Sequence, residues 1–201
     1  MFYDAIRNDH GFQYDPFKAL VAPRPIGWIS SLSAAGAANL APYSYFNAMS
    51  QDPHYVVFGS GPRKDSLRNI EATGEFAVNL ATFDLREQMN VSSARVGQEV
   101  DEFELAGLAK AACRLIKPPR VAASPACLEC RLFKVIDLPD DQGLVENYIT
   151  IGRVIGIHID DRFIVDGRVD TAAMRPIARM GYSEYATVEA AWRMRRPADG
   201  V

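Results

Sequence analysis

Residues 24–80, RPIGWISSLSAAGAANLAPYSYFNAMSQDPHYVVFGSGPRKDSLRNIEATGEFAVNL, constrain the fold more than any other part of the chain. Three runs suited to strands, residues 26–33, 39–50 and 54–59, are punctuated by Gly36 and by Asp52-Pro53. The loop Ser60-Gly61-Pro62-Arg63-Lys64-Asp65-Ser66 then opens directly into a helical pattern, with Leu67 and Ile70 three apart. Asp65 or Ser66 is expected to cap that helix and Gly74 to end it at C′. Glu75-Phe76-Ala77-Val78-Asn79-Leu80 follows as a short strand.

The loop has the chemistry of a phosphate seat. Gly61 lets the backbone come close, Arg63 and Lys64 bring charge, and Ser66 brings a hydroxyl. A helix N-terminus adds N–H donors and a favourable dipole. Asp65 is a poor direct partner for a dianion, so capping the helix and orienting Lys64 is its expected part. The same residues also read as a solvated Arg-Lys pair before an ordinary capped helix.

The run at 39–50 is unusual for a core strand, holding a proline, two asparagines, two serines and three aromatics. Proline there predicts an edge or a bulge, where backbone groups are free to face a ligand. Further along, residues 83–91 suit a short helix and 99–108 are locally ambiguous. Residues 126–138 form the longest strand candidate, and Pro139-Asp140-Asp141-Gln142-Gly143 turns the chain into a β-branched run at 148–159. This pair predicts an antiparallel hairpin. Beyond it, 171–178 is helix-like and 192–197 is basic.

Six or seven short strands with few helices predict a mainly β fold, a barrel with a few helices. No GxGxxG follows a strand, so a dinucleotide-binding α/β domain is not expected. The 201 residues suit one domain, with an arm at 1–22 and a tail at 186–201. The net charge of -3 argues against a nucleic-acid partner. Residues 1–12 lack the apolar core of a signal peptide, and no run approaches the roughly 18 apolar residues of a membrane span. The expected address is the cytoplasm.

Three cysteines are too few for a disulfide framework. Cys127 and Cys130 would point to opposite faces of a strand, and Cys113 and the scattered His10, His54 and His158 show no ligand spacing. No metal site is expected. No nucleophile elbow supports hydrolase chemistry.

Taken in order, RPIGWISS, NLAPYSYFN with the Ser-Gln-Asp-Pro turn after it, RKDSLRNI leading into GEFAVNL, and GRVIGIHIDD with DGRVD resemble one family. It is the flavin reductase-like family with an FMN-binding split β-barrel, which includes flavoredoxins. The resemblance implies a homodimer with the flavin near the subunit interface. It implies that Ser30 and Ser31 approach the flavin phosphate or ribityl chain, and that Arg63, Lys64, Asp65 and Ser66 form the phosphate loop. By the same resemblance Asn39, Ala41, Pro42, Ser44, Phe46 and Asn47 lie along the isoalloxazine ring. His158 matches a histidine that in some relatives lies near the docked nicotinamide, and residues 179–185 match a segment that approaches the flavin pocket.

The implied activity is NAD(P)H-dependent flavin reduction, passing electrons to free flavin, a partner monooxygenase or a redox protein. A flavoredoxin-like carrier without its own NAD(P)H activity is the alternative. Haem in the same barrel would need an axial ligand, for which the histidines are His10, His54 and His158.

Overall fold

The computed structural model describes residues 1–197, so the last four residues of the expected tail lie outside it. The first part of the chain forms α1 (Phe17–Leu20), β1 (Arg24–Pro25), β2 (Gly27–Leu32), β3 (Ala38–Tyr43), β4 (Phe46–Gln51) and β5 (His54–Ser60). Next come α2 (Asp65–Thr73), β6 (Glu75–Leu80), α3 (Arg86–Val91), α4 (Glu102–Leu105), β7 (Lys110–Ala111) and β8 (Arg120–Val121). The hairpin β9 (Ala126–Pro139) and β10 (Val145–Ile159) precedes the short strands β11 (Ile164–Val165), β12 (Arg168–Val169), β13 (Ile177–Arg179) and β14 (Tyr185–Thr187).

One antiparallel sheet carries the architecture, with strand order β3-β2-β6-β9-β10-β5-β4. The expected mainly β barrel is therefore the fold observed, and the β9–β10 hairpin is its spine. Asp140 closes that hairpin by accepting from the N–H groups of Gln142 at 2.9 Å and Leu144 at 2.8 Å.

Strand β2 is buried on both faces, which explains its poor alternation. Trp28 enters one apolar cluster with Leu40, Met89 and Phe103, while its neighbour Ile29 enters another with Phe58, Ile70 and Phe76. Strand geometry sends adjacent residues to opposite faces. Likewise Cys127 packs with Ala77 and Ile116, and Cys130 packs with the Ile29 cluster.

Two expectations are corrected. Residues 39–50 are not one strand: the chain bends at Ser44 and Tyr45, and β3 and β4 stand at opposite edges of the sheet. Tertiary contacts hold the bend, since Tyr45 O accepts from Gly59 N at 2.7 Å. Residues 171–178 are a turn leading into β13 rather than a helix. Pro176 has no N–H for a helical ladder, and Ile177 N donates instead to Ala81 O at 3.0 Å.

No helix among the described residues is long and apolar enough to cross a membrane.

Candidate ligand cavity

A cavity of about 460 Å³ lies where β3, the loop after β5 and the start of α2 meet. Asn39, Ala41, Pro42, Arg63, Lys64 and Ser66 all line it. Register explains part of this convergence. Ser31 on β2 is opposite Asn39 on β3, so the two share a face. Asn39 Nδ2 donates to Ser31 Oγ at 3.2 Å and to Ser66 Oγ at 2.9 Å. Asn69, one turn into α2, donates to the same Ser31 Oγ at 3.2 Å. This buried network fixes the helix start against the strands.

The cap differs from expectation in a way that matters. Lys64, with extended backbone, is the N-cap of α2, and among the described residues no side chain accepts from the first helix N–H groups. Asp65 pairs with Arg68 at 2.6 Å, instead of capping or orienting Lys64, and the Ser66 hydroxyl is engaged by Asn39. The donors at the start of α2 are therefore left without a side-chain acceptor. Gly74 ends the helix as expected, with φ of 75°.

The two loop cations are also not equivalent. Arg63 pairs with Glu71 and stands over the Tyr148 ring, whereas Lys64 has no ion pair among the described residues and its Nζ lies 6.0 Å from the Tyr43 ring centre. Tyr43 is the second feature awaiting a partner. Among the described residues its buried hydroxyl makes no hydrogen bond of good geometry, and burial pushes the phenol up to about 12, against a smaller opposing pull from the Ser66 hydroxyl beside it. A seat with uncapped helix donors, an unpaired ammonium and an orphaned phenol fits a phosphate group.

The remaining predicted positions fall elsewhere. Ser30 is on the other face of β2, where its hydroxyl donates to Pro119 O at 2.5 Å, and it does not line this cavity. Ser44, Phe46 and Asn47 line a neighbouring cavity of about 510 Å³, shared with Val21, Pro23 and Arg24. The chain from Asn39 to Asn47 thus runs from one cavity into the other. Gly27 lets the Phe46 ring pack closely against β2, because a Cβ there would come 2.6 Å from that ring. His158 lines a third cavity with Glu129. In residues 179–185, Arg179 donates to the Tyr185 hydroxyl at 2.5 Å, and Ser183 and Tyr185 line yet another cavity.

Sequence reasoning missed Glu102, Asn69 and residues 92–96 as walls or braces of the site. Glu102 comes from α4 and is 6% exposed; its Oε2 accepts from Leu40 N at 3.0 Å. Only the packing of Phe103 against Trp28 and Leu40 brings it there, so no local motif announces it. Burial, with Asp65 and Asp101 adding to it, pushes the Glu102 carboxyl above its ordinary 4.5, against the Leu40 N–H. A raised carboxyl holds its proton more tightly in the folded chain, so its contribution is present at low pH and lost as pH rises through the raised value. Glu102→Gln is expected to flatten the loss of stability above pH 4.5, as read by thermal melts across that range. An unchanged slope would count against this.

The chain thus forms an antiparallel barrel with a polar cavity beside its edge strand β3. The flavin reductase like domain matches residues 20–170, and the chain belongs to that family. An uncharacterized protein of Halalkalibacterium halodurans is 33% identical over 182 residues, covering 88% of this chain and 87% of that one. Among solved structures, nitrilotriacetate monooxygenase component B from Bacillus cereus superposes with a TM-score of 0.88 at 26% identity, covering 96% of this chain and 98% of that one. The 2-nitrobenzoate 2-nitroreductase of Pseudomonas fluorescens gives 0.87 at 26% identity, covering 99% and 98%.

Proposed function

We propose that the protein is a cytoplasmic, homodimeric FMN flavoprotein that takes reducing equivalents from NAD(P)H and passes them to free flavin, a partner monooxygenase or a redox protein. The observation that carries this is the phosphate seat: the uncapped start of α2, the unpaired Lys64 and the unpartnered Tyr43 hydroxyl in one cavity. Membership of the family, and the likeness to a monooxygenase component B and to a nitroreductase, support the redox reading.

In this reading Lys64, Ser66 and the α2 N–H groups hold the phosphate, while Asn39 and Ser31 brace that seat. The second cavity would take the ring, with Ser44 and Asn47 offering polar groups to its edge and Phe46 an apolar surface. When bound, the flavin supplies the two-electron chemistry that no side chain provides. The protein's work is then to orient the ring, shield part of it from water and leave one face open.

The test is an anaerobic titration with FMN, followed at ~450 nm while NADH and then NADPH are added. Tight binding with rapid bleaching is the expected result. Binding without bleaching by either nucleotide would favour the flavoredoxin-like carrier, and failure to bind FMN would overturn the reading.

A further inference from the structure

A cavity of about 540 Å³ beside β10 shares no lining residue with the Lys64 cavity. Its floor follows from hairpin register. Cys127 is opposite His158 and Glu129 is opposite Gly156, so Glu129 and His158 point to the same face. A Cβ at Gly156 would come 3.3 Å from the carboxyl carbon of Glu129, and its absence leaves room for that acid. Glu129 is 1% exposed and fully engaged. It accepts from Arg114 N at 2.7 Å and Leu115 N at 2.6 Å, and it pairs with His158 Nε2. The buried carboxylate thereby pins the backbone that carries Arg114 to the cavity wall.

The charge left over is cationic. Arg114 and Arg120 both line the cavity, and among the described residues neither guanidinium makes an ion pair or a side-chain hydrogen bond. Arg120 Nε is buried and has no partner. Asp160, the other acid on the wall, is taken by Arg162 at 2.6 Å. Cys113, Glu129 and His158 do bring ligand atoms within 4.8 Å of one another, a sulfur, oxygen and nitrogen set that would suit zinc. Glu129 is already engaged by the Arg114 and Leu115 N–H groups and by His158, however, so its carboxylate is not free for a metal, whereas the two guanidinium groups are free for an anion.

We propose that this cavity binds an oxyanion-bearing small molecule, a phosphate or a carboxylate, held by Arg114 and Arg120 with His158 on its wall. Guanidinium groups pair with planar and tetrahedral oxyanions through two N–H groups at once, and the orphaned Arg120 donor gains the acceptor it lacks. The assignment is independent of the flavin reading, because the two cavities use different residues.

Calorimetric titrations with inorganic pyrophosphate and, separately, with benzoate distinguish the two anion classes. They are run on the wild type, R114A/R120A, R114E and R63A/K64A. At least one probe is expected to bind the wild type and R63A/K64A alike, and to lose about tenfold or more in R114A/R120A and R114E. Arg114 is exposed and unpaired, so R114E tests the site even if the double variant fails to fold. Four results would overturn the proposal: no binding of either probe, wild-type affinity in R114E, loss of binding confined to R63A/K64A, or Cys113-dependent zinc binding in place of either anion.

Discussion

Trp28→Ala is expected to destabilise the protein by about 3–5 kcal/mol, the largest effect of any single substitution considered. Trp28 is fully buried at the centre of a cluster that joins β2 to Leu40, Met89, Phe103 and Ile177. Truncation leaves a cavity among elements from four parts of the chain, and the surrounding barrel cannot collapse to fill it. The indole N–H also donates to Ser92 Oγ at 2.9 Å, and Ser92 begins the segment that walls the Lys64 cavity. Urea unfolding should show a lower midpoint at an unchanged slope. Trp28→Phe should recover most of the packing but not the Ser92 contact. A loss below about 1 kcal/mol for the alanine variant would show that Trp28 is not the keystone of this cluster.

Lys64→Ala is expected to weaken FMN binding by about 10- to 100-fold, the worth of a hydrogen bond to a charged group. Arg63 is spent on Glu71 and Arg68 on Asp65, so Lys64 is the loop cation free to meet a phosphate. Riboflavin, which lacks the phosphate, provides the control. Its affinity should be the same in wild type and variant, because Lys64 lines the cavity proposed for the phosphate and not the second cavity. Fluorescence titration with both flavins reads the difference. Equal losses for both would mean that Lys64 acts on the ring or on folding. No loss for FMN would remove Lys64 from the seat altogether.

Particular elements show how far pattern alone reaches. The β9–β10 hairpin was legible because Asp140, Gly143 and the β-branched return strand are local signals, and local hydrogen bonds close the turn. The C-terminus of α2 was legible for the same reason, since Gly74 at positive φ is a backbone requirement. Its N-terminus was not. Asp65 and Ser66 both have the chemistry of a cap, but Arg68 competes for one and Asn39, twenty-seven positions before Ser66, for the other. A long-range partner that outbids the local one leaves no trace in the local pattern.

The same reasoning separates the two halves of the candidate site. Turn residues and strand-like runs determined a mainly β barrel and gave residues 63–66 the chemistry of a phosphate seat, while the family resemblance implied that residues 39–47 face the ligand. Only the tertiary structure decided that the chain bends at Ser44 and Tyr45, placing Asn39 and Asn47 at different cavities. It also decided that Ser30 turns away while Ser31 turns in, and that Glu102 and Tyr43 line the same cavity as Lys64. Sequence carries the preferences of the backbone and of near neighbours. Which face of a strand meets which distant element depends on register and on burial shared across the whole sheet, and those are fixed only when the barrel closes.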